Sequence, residues 1–194
     1  MAGFIEAFVL LLGIIDPLAS LGAFLSLTKG MKDKEKLRIA HKAVLVAAAV
    51  FFIFAIGGQP ILDILGVNIH AFRAAGGIIL VLLGIQMGLG ISFPKDKEEI
   101  SEVAVVIGTP MICGPATITT TIILTSETGT TLTMMAGAMV LIITLGTLVL
   151  SSRLTKVVGR SGLQIMSTMM GIITMAWGIQ YLLSGISAFG AVAG

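Results

Sequence analysis

Six apolar stretches take up most of this chain, at approximately residues 2–28, 39–56, 70–91, 103–125, 131–151 and 163–186. A helix needs ~20 predominantly apolar residues to cross the hydrocarbon core of a bilayer. In 194 residues, six such stretches leave no room for a soluble domain. Composition agrees. The chain is 56% hydrophobic and 11% charged, against roughly 25% charged residues in an ordinary soluble domain. Its mean hydropathy is +1.08. A disordered chain, a disulfide scaffold and a cytosolic enzyme are excluded. What remains is an all-α, polytopic membrane protein forming one transmembrane domain over residues 1–194.

The second stretch is short, and its apolar character resumes after Gly57-Gly58-Gln59-Pro60, so residues 61–67 either lie at the interface or re-enter the membrane. The start of the first stretch carries Glu6 rather than a basic region, and the stretch is too long for a cleaved signal peptide. The basic residues set the orientation. Lys29, Lys32, Lys34, Lys36, Arg38 and Lys42 follow the first span, Lys95 and Lys97 the third, and Arg153, Lys156 and Arg160 the fifth. With six spans these connections share one side, which carries eleven of the twelve basic residues; only Arg73 lies opposite. The positive-inside rule makes the rich side cytoplasmic. The expected location is the plasma membrane, with both termini outside. The Lys29–Lys42 region, mixed in sign, reads as a solvated cytoplasmic loop.

The two halves repeat. Gly77-Ile78-Ile79 and Gly84-Ile85-Gln86 recur as Gly171-Ile172-Ile173 and Gly178-Ile179-Gln180, an offset of 94 residues, with seven of thirteen positions identical over 77–89. Upstream, Asp16-Pro17-Leu18-Ala19-Ser20 in the first span matches Gly114-Pro115-Ala116-Thr117-Ile118 in the fourth more weakly. Each half, about 1–95 and about 100–194, then holds three spans and opens with a helix broken by proline. Three is odd, so the second half enters the membrane inverted. A 3+3 inverted repeat with interrupted helices is the construction of many secondary transporters, whose substrate site lies at the breaks near the midplane.

The chemistry of the breaks follows from proline. It lacks an N–H and clashes with the preceding turn, but it suits the first position of a helix. Asp16-Pro17 and Gly114-Pro115 therefore read as caps followed by half-helices; Gly13, Gly108 and Pro110 loosen the chain ahead of them. Free N–H groups on Leu18, Ala19 and Ser20, and on Ala116, Thr117 and Ile118, would point into the gap and attract an anion. That suits a small solute bearing a carboxylate. Asp16 is an acid near the middle of a span, where such residues are costly and usually functional. It could cap the half-helix, hold a substrate ammonium or carry a coupling proton.

Thr117 and Thr121 share a helix face, and either line the site or bond back to their own helix. Gln86 and Gln180 are repeat mates that either bond between helices or line the pathway. Gly84 and Gly88 mark close helix packing. Glu6 and Glu127 read as solvated near the outer surface, and His41 and His70 as interfacial. Cys113 has no partner for an internal disulfide and reads as a small buried hydrophobe. No catalytic set, metal-ligand spacing or phosphate loop is present in the sequence, so no cofactor, metal or nucleic-acid partner is expected, and no enzyme activity.

The stretches Gly13-Ile14-Ile15-Asp16-Pro17-Leu18-Ala19-Ser20, Thr109-Pro110-Met111-Ile112-Cys113-Gly114-Pro115-Ala116-Thr117-Ile118 and Gly178-Ile179-Gln180 resemble the MarC family of integral membrane proteins, and the likeness covers essentially the whole chain. Ala19 and Ala116 stand where that family often has glycine, and Cys113 where it has alanine, which narrows the space beside the breaks. The resemblance implies a transporter of small neutral amino acids such as glycine and alanine, driven by a proton or sodium gradient. The expected site is Asp16, Pro17, Ala19, Ser20, Gly114, Pro115, Ala116, Thr117 and Thr121. The alternatives are a small-solute channel and a drug or metabolite exporter on the same repeat. Whether copies assemble into a homo-oligomer is left open.

Overall fold

A computed structural model describes residues 2–28, 30–89 and 112–193 of the chain. All regular secondary structure among them is helical: α1 (Ala2–Ile15), α2 (Pro17–Leu27), α3 (Asp33–Ile64), α4 (Ile69–Gly88), α5 (Pro115–Thr128), α6 (Thr130–Val149) and α7 (Ser151–Ala193). Five segments among the described residues are long and apolar enough to cross a membrane: Gly3–Gly22, Asp33–Ile64, Ile69–Gly88, Thr130–Val149 and Gln164–Ala188. The protein is a polytopic helical membrane protein. Of the fourth expected span the residues from 112 onward are described, and α5 supplies about 21 Å of helix at 1.5 Å per residue. Gly108 and Pro110, expected to loosen that span, lie outside the described residues, as do Lys29, Lys95 and Lys97.

The first span is broken where the sequence says it should be. α1 ends at Ile15, Asp16 leaves the helix, and Pro17 opens α2. The second span runs otherwise than expected. α3 continues through Gly57, Gly58 and Pro60 to Ile64, so residues 61–64 are its last turn and not a re-entrant segment. Pro60 removes only the hydrogen bond to the carbonyl four residues back. Packing holds the helix on either side of it: Gly58 sits so tightly against Ile122 of α5 that a Cβ would overlap that side chain, and Leu62 is buried. Beyond the end of α3 at Ile64, Gly66 closes the helix off: its φ of 65° lets the Val67 N–H turn back to the Leu62 carbonyl at 2.9 Å. The presumed cytoplasmic loop is also partly helix. Residues 33–42 form the first turns of α3, with Asp33 and Glu35 at its positive end. The Glu35 carboxylate accepts the Lys32 N–H at 3.1 Å.

α1 lies in the core. Its buried face, Ala7, Leu10, Leu11 and Ile14, follows the helical spacing of three and four. It joins Ala43, Ala47 and Phe51 of α3, Ile123 and Leu124 of α5, and Ala136 and Val140 of α6 in one buried cluster. α4 packs along α7 through glycines. A Cβ added at Gly77 would sit 2.5 Å from the Gly178 carbonyl oxygen, and one at Gly84 2.6 Å from that of Gly171. The rising number on α4 meets the falling number on α7, so the two helices are antiparallel. Adding the 94-residue offset turns Gly77 into Gly171 and Gly84 into Gly178. The two contacts therefore exchange with each other. α7 departs from helical geometry at Gly159, where φ is 72° and ψ 164°.

Candidate functional site

Pro17 starts α2 and Pro115 starts α5, but the two helix ends are capped differently. At the first, Asp16 has φ 38° and ψ 80° and is the N-cap of α2. It is the one non-glycine residue with positive φ among the described residues. That conformation costs a side-chain-bearing residue energy, though Asp and Asn tolerate it better than most. The strained turn lets the Asp16 Oδ1 accept the N–H groups of both Leu18 and Ala19, each at 3.2 Å. The Ser20 N–H donates to the Asp16 carbonyl at 3.0 Å and resumes the helix. The expectation that these three N–H groups stand free for an anion is thereby corrected: a carboxylate of the protein's own already occupies that helix end.

The other oxygen of Asp16, Oδ2, accepts a hydrogen bond from the Ser167 hydroxyl of α7 at 2.5 Å. Both residues are buried. A buried carboxylate needs donors on each oxygen, so a partner from another helix was required. The last span offered Ser167, Thr168 and Thr174, and nothing in the sequence separates them. Thr174 is fully buried, and its hydroxyl has no partner among the described residues. A Cβ at Gly13, in α1 just before the break, would meet that hydroxyl at 3.5 Å. The Gly13 carbonyl is the one that Pro17, without an N–H, cannot serve.

At the second break the N-cap is Gly114, with φ −81° and ψ −176°. It has no side chain, and among the described residues α5 begins without a side-chain cap. The Ile118 N–H is taken by the Gly114 carbonyl at 3.0 Å, which leaves Ala116 and Thr117, both buried, as the first-turn residues whose N–H groups make no backbone hydrogen bond among the described residues. The two breaks also share a device. The Ser20 hydroxyl donates to the Ile15 carbonyl at 3.3 Å, and that of Thr117 to the Ile112 carbonyl at 3.2 Å. Each spans five residues across its proline. Ile14, Ile15, Ile112, Cys113 and Ala116 belong to the same buried cluster, so the apolar residues flanking the two breaks share one core.

Of the other residues singled out from the sequence, Pro17, Gly114 and Thr121 are buried, whereas Ala19 and Pro115 are exposed. The threonines of α5 bond back to their own helix, Thr121 to the Thr117 carbonyl at 2.7 Å and Thr119 to that of Pro115 at 2.8 Å. Thr120 is fully buried without a hydrogen-bond partner among the described residues. Gln86 is half-buried and Gln180 exposed; glycines, not these amides, line the contact between α4 and α7. Glu127 is not simply solvated as expected. Its carboxylate pairs with Arg73 of α4 at 2.9 Å, with side chains 33% and 17% exposed respectively. No group of His, Cys, Asp and Glu among the described residues could hold a metal ion.

The sequence pattern of the MarC family integral membrane proteins matches residues 1–189. Similar proteins include a UPF0056 membrane protein of Methanocaldococcus jannaschii, 33% identical with 94% of this chain and 95% of that one covered. Another, from Archaeoglobus fulgidus, is 29% identical with 95% and 92% covered. A third, from Buchnera aphidicola, is 28% identical with 95% and 96% covered. No solved structure matches. The match runs from the first broken helix through the second to the glycine-lined last span, and the chain belongs to the MarC family of integral membrane proteins.

Proposed function

We propose that this protein is a secondary active transporter of small neutral amino acids, glycine- or alanine-like, coupled to a proton or sodium gradient across the plasma membrane. The observation that carries the reading is the contrast between the breaks. One half-helix end is filled by Asp16. The other, at Gly114, has no side-chain cap among the described residues, and its Ala116 and Thr117 N–H groups suit a substrate carboxylate. Asp16 supplies the complementary charge for an ammonium group or a coupling proton. Pro17, Ala19, Ser20, Pro115 and Thr121 shape the space between, with Gln86 and Gln180 along the route. The exchange of the Gly77–Gly178 and Gly84–Gly171 contacts under the repeat offset supports two inverted halves. Antiparallel helices related in that way share a two-fold axis in the membrane plane, as in transporters built from inverted repeats.

A channel on the same repeat is the rival reading. A buried acid at the break counts against a pore for neutral solutes. Purified protein in liposomes decides between them. Imposed proton or sodium gradients are expected to drive saturable accumulation of labelled glycine or alanine above the outside concentration. Equilibration alone, unaffected by either gradient, would mark a channel and end the transporter reading.

A further inference from the structure

At the end of the bundle opposite the lysine-rich face, three helices converge on a small set of charges. Arg73 stands in the second turn of α4 and Glu127 in the last turn of α5. Their 2.9 Å ion pair joins the first half of the chain to the second. α1 closes the third side: a Cβ at Gly3 would touch Thr128 at 3.5 Å, which brings Glu6, one turn on, toward Glu127. The Thr128 hydroxyl is 3.1 Å from that of Thr133 in α6. Below the pair, α4 and α5 touch where Gly76 lies tight against Thr119 and Ile123. The pair continues that contact outward by one turn. From Glu127 to Pro115 is about 18 Å along α5 at 1.5 Å per residue. The charges thus lie well above the second break.

We propose that the Arg73–Glu127 pair is the latch of an outer gate, holding α4 and α5 together above the breaks and released when the site opens to the outside. The proposal rests on the transporter reading for its purpose and on the ion pair for its mechanics. A partly buried pair between two moving bodies stabilises the closed arrangement only while both partners are present. Removing either leaves the other charge partly buried and alone, and the closed state loses its advantage. The Nε of Arg73 is buried without a partner among the described residues, so the guanidinium relies on Glu127 through Nη2. Charges facing Glu127 are Arg73 on α4, Glu6 on α1 and the titratable Tyr181 on α7. α6 contributes none, since Thr130–Val149 contains no ionisable residue, and α3 carries Asp63 near its C-terminal end.

The single native cysteine provides the test. Cys113 is buried beside the second break, so a membrane-impermeant thiol reagent applied from outside reaches it only along an open outer route. A second probe, Thr117→Cys in a Cys113→Ala background, covers the case in which the sulfur faces the wrong wall. Glu127→Gln and Arg73→Gln are each expected to raise the outside labelling rate about two- to fivefold, the population shift for a pair of this exposure. The double exchange Arg73→Glu/Glu127→Arg should restore protection toward the wild-type rate. Unchanged labelling at both probes in properly inserted single variants would overturn the latch, as would enhanced labelling that the double exchange leaves in place. Labelling does not depend on the substrate. Changed labelling without any amino-acid uptake would leave the latch standing and remove the transport reading. Uptake with unchanged labelling would do the opposite.

Discussion

Asp16 carries the chemistry of the first break and also its shape. Its left-handed backbone aims one oxygen at the start of α2 and the other at Ser167. Asparagine tolerates the same backbone region and caps a helix about as well as aspartate, so Asp16→Asn keeps the turn and removes the charge. The variant is expected to insert and fold, yet to lose gradient-driven uptake by at least about tenfold, the loss of one strong charge-assisted contact. Wild-type uptake by this variant in liposomes would reduce Asp16 to a cap. The residue was legible in the sequence because an acid before a proline inside an apolar run admits few explanations. Ser167 was not legible, since a serine in the last span carries no mark of the helix it will face. The expectation of free N–H groups after Pro17 failed for a related reason. The aspartate expected to meet a ligand is the nearest acceptor for its own helix.

Among the helices, glycine decides which pairs can approach. At Gly77 the nearest atoms to an added Cβ are backbone atoms of α7 at 2.5 Å, whereas at Gly22 nothing lies within 4 Å. Gly77→Leu is therefore expected to force α4 from α7 and to lower the melting temperature in detergent by several degrees, consistent with an overpacking cost of about 1–3 kcal/mol. Gly22→Ala should leave it nearly unchanged. Equal effects would show that the seam does not hold the pair. The Gly-Ile-Ile and Gly-Ile-Gln repeats announced this seam. The run Gly57-Gly58-Gln59-Pro60 was misleading because a proline ends a helix only where packing does not bridge it, and here Ile122 does.

The end of α5 gives the helix scale its pH dependence. Burial raises the Glu127 carboxyl above the ordinary glutamate value; Arg73 opposes the rise and Glu6 adds to it. The folded protein thus binds that proton more tightly than the unfolded chain. Stability tied to it is complete below the ordinary glutamate pKa and is lost as pH rises through the raised folded value. Melting temperatures of wild type and Glu127→Gln followed from acid toward neutral pH should show the extra decline only in the wild type. Parallel curves would mean that Glu127 is fully solvated.

At the scale of the molecule, the polytopic all-helical architecture was readable because a bilayer permits so few solutions. By the positive-inside rule the charge asymmetry predicts both termini outside. An impermeant thiol reagent added to intact cells should reach a cysteine introduced at Gly194 and miss one at Lys34, both in a Cys113→Ala background; the reverse pattern would invert the topology and turn the proposed outer latch into an inner one. What the sequence left unread was the inequality of the two breaks, since the offset alone makes them look like equal partners. One helix end is closed by the protein's own carboxylate, and the proposed function assigns the other, at Gly114, to a carboxylate of the substrate. Thermal unfolding of the purified wild-type protein with alanine, and separately with alaninamide, tests that directly. Binding to the folded state raises the unfolding temperature by mass action, about 2.7 kcal/mol at a hundred times Kd. Alanine is expected to give a saturable rise and alaninamide, which lacks the carboxylate, little or none. An equal rise with both, or no rise with alanine at any concentration, would contradict the account.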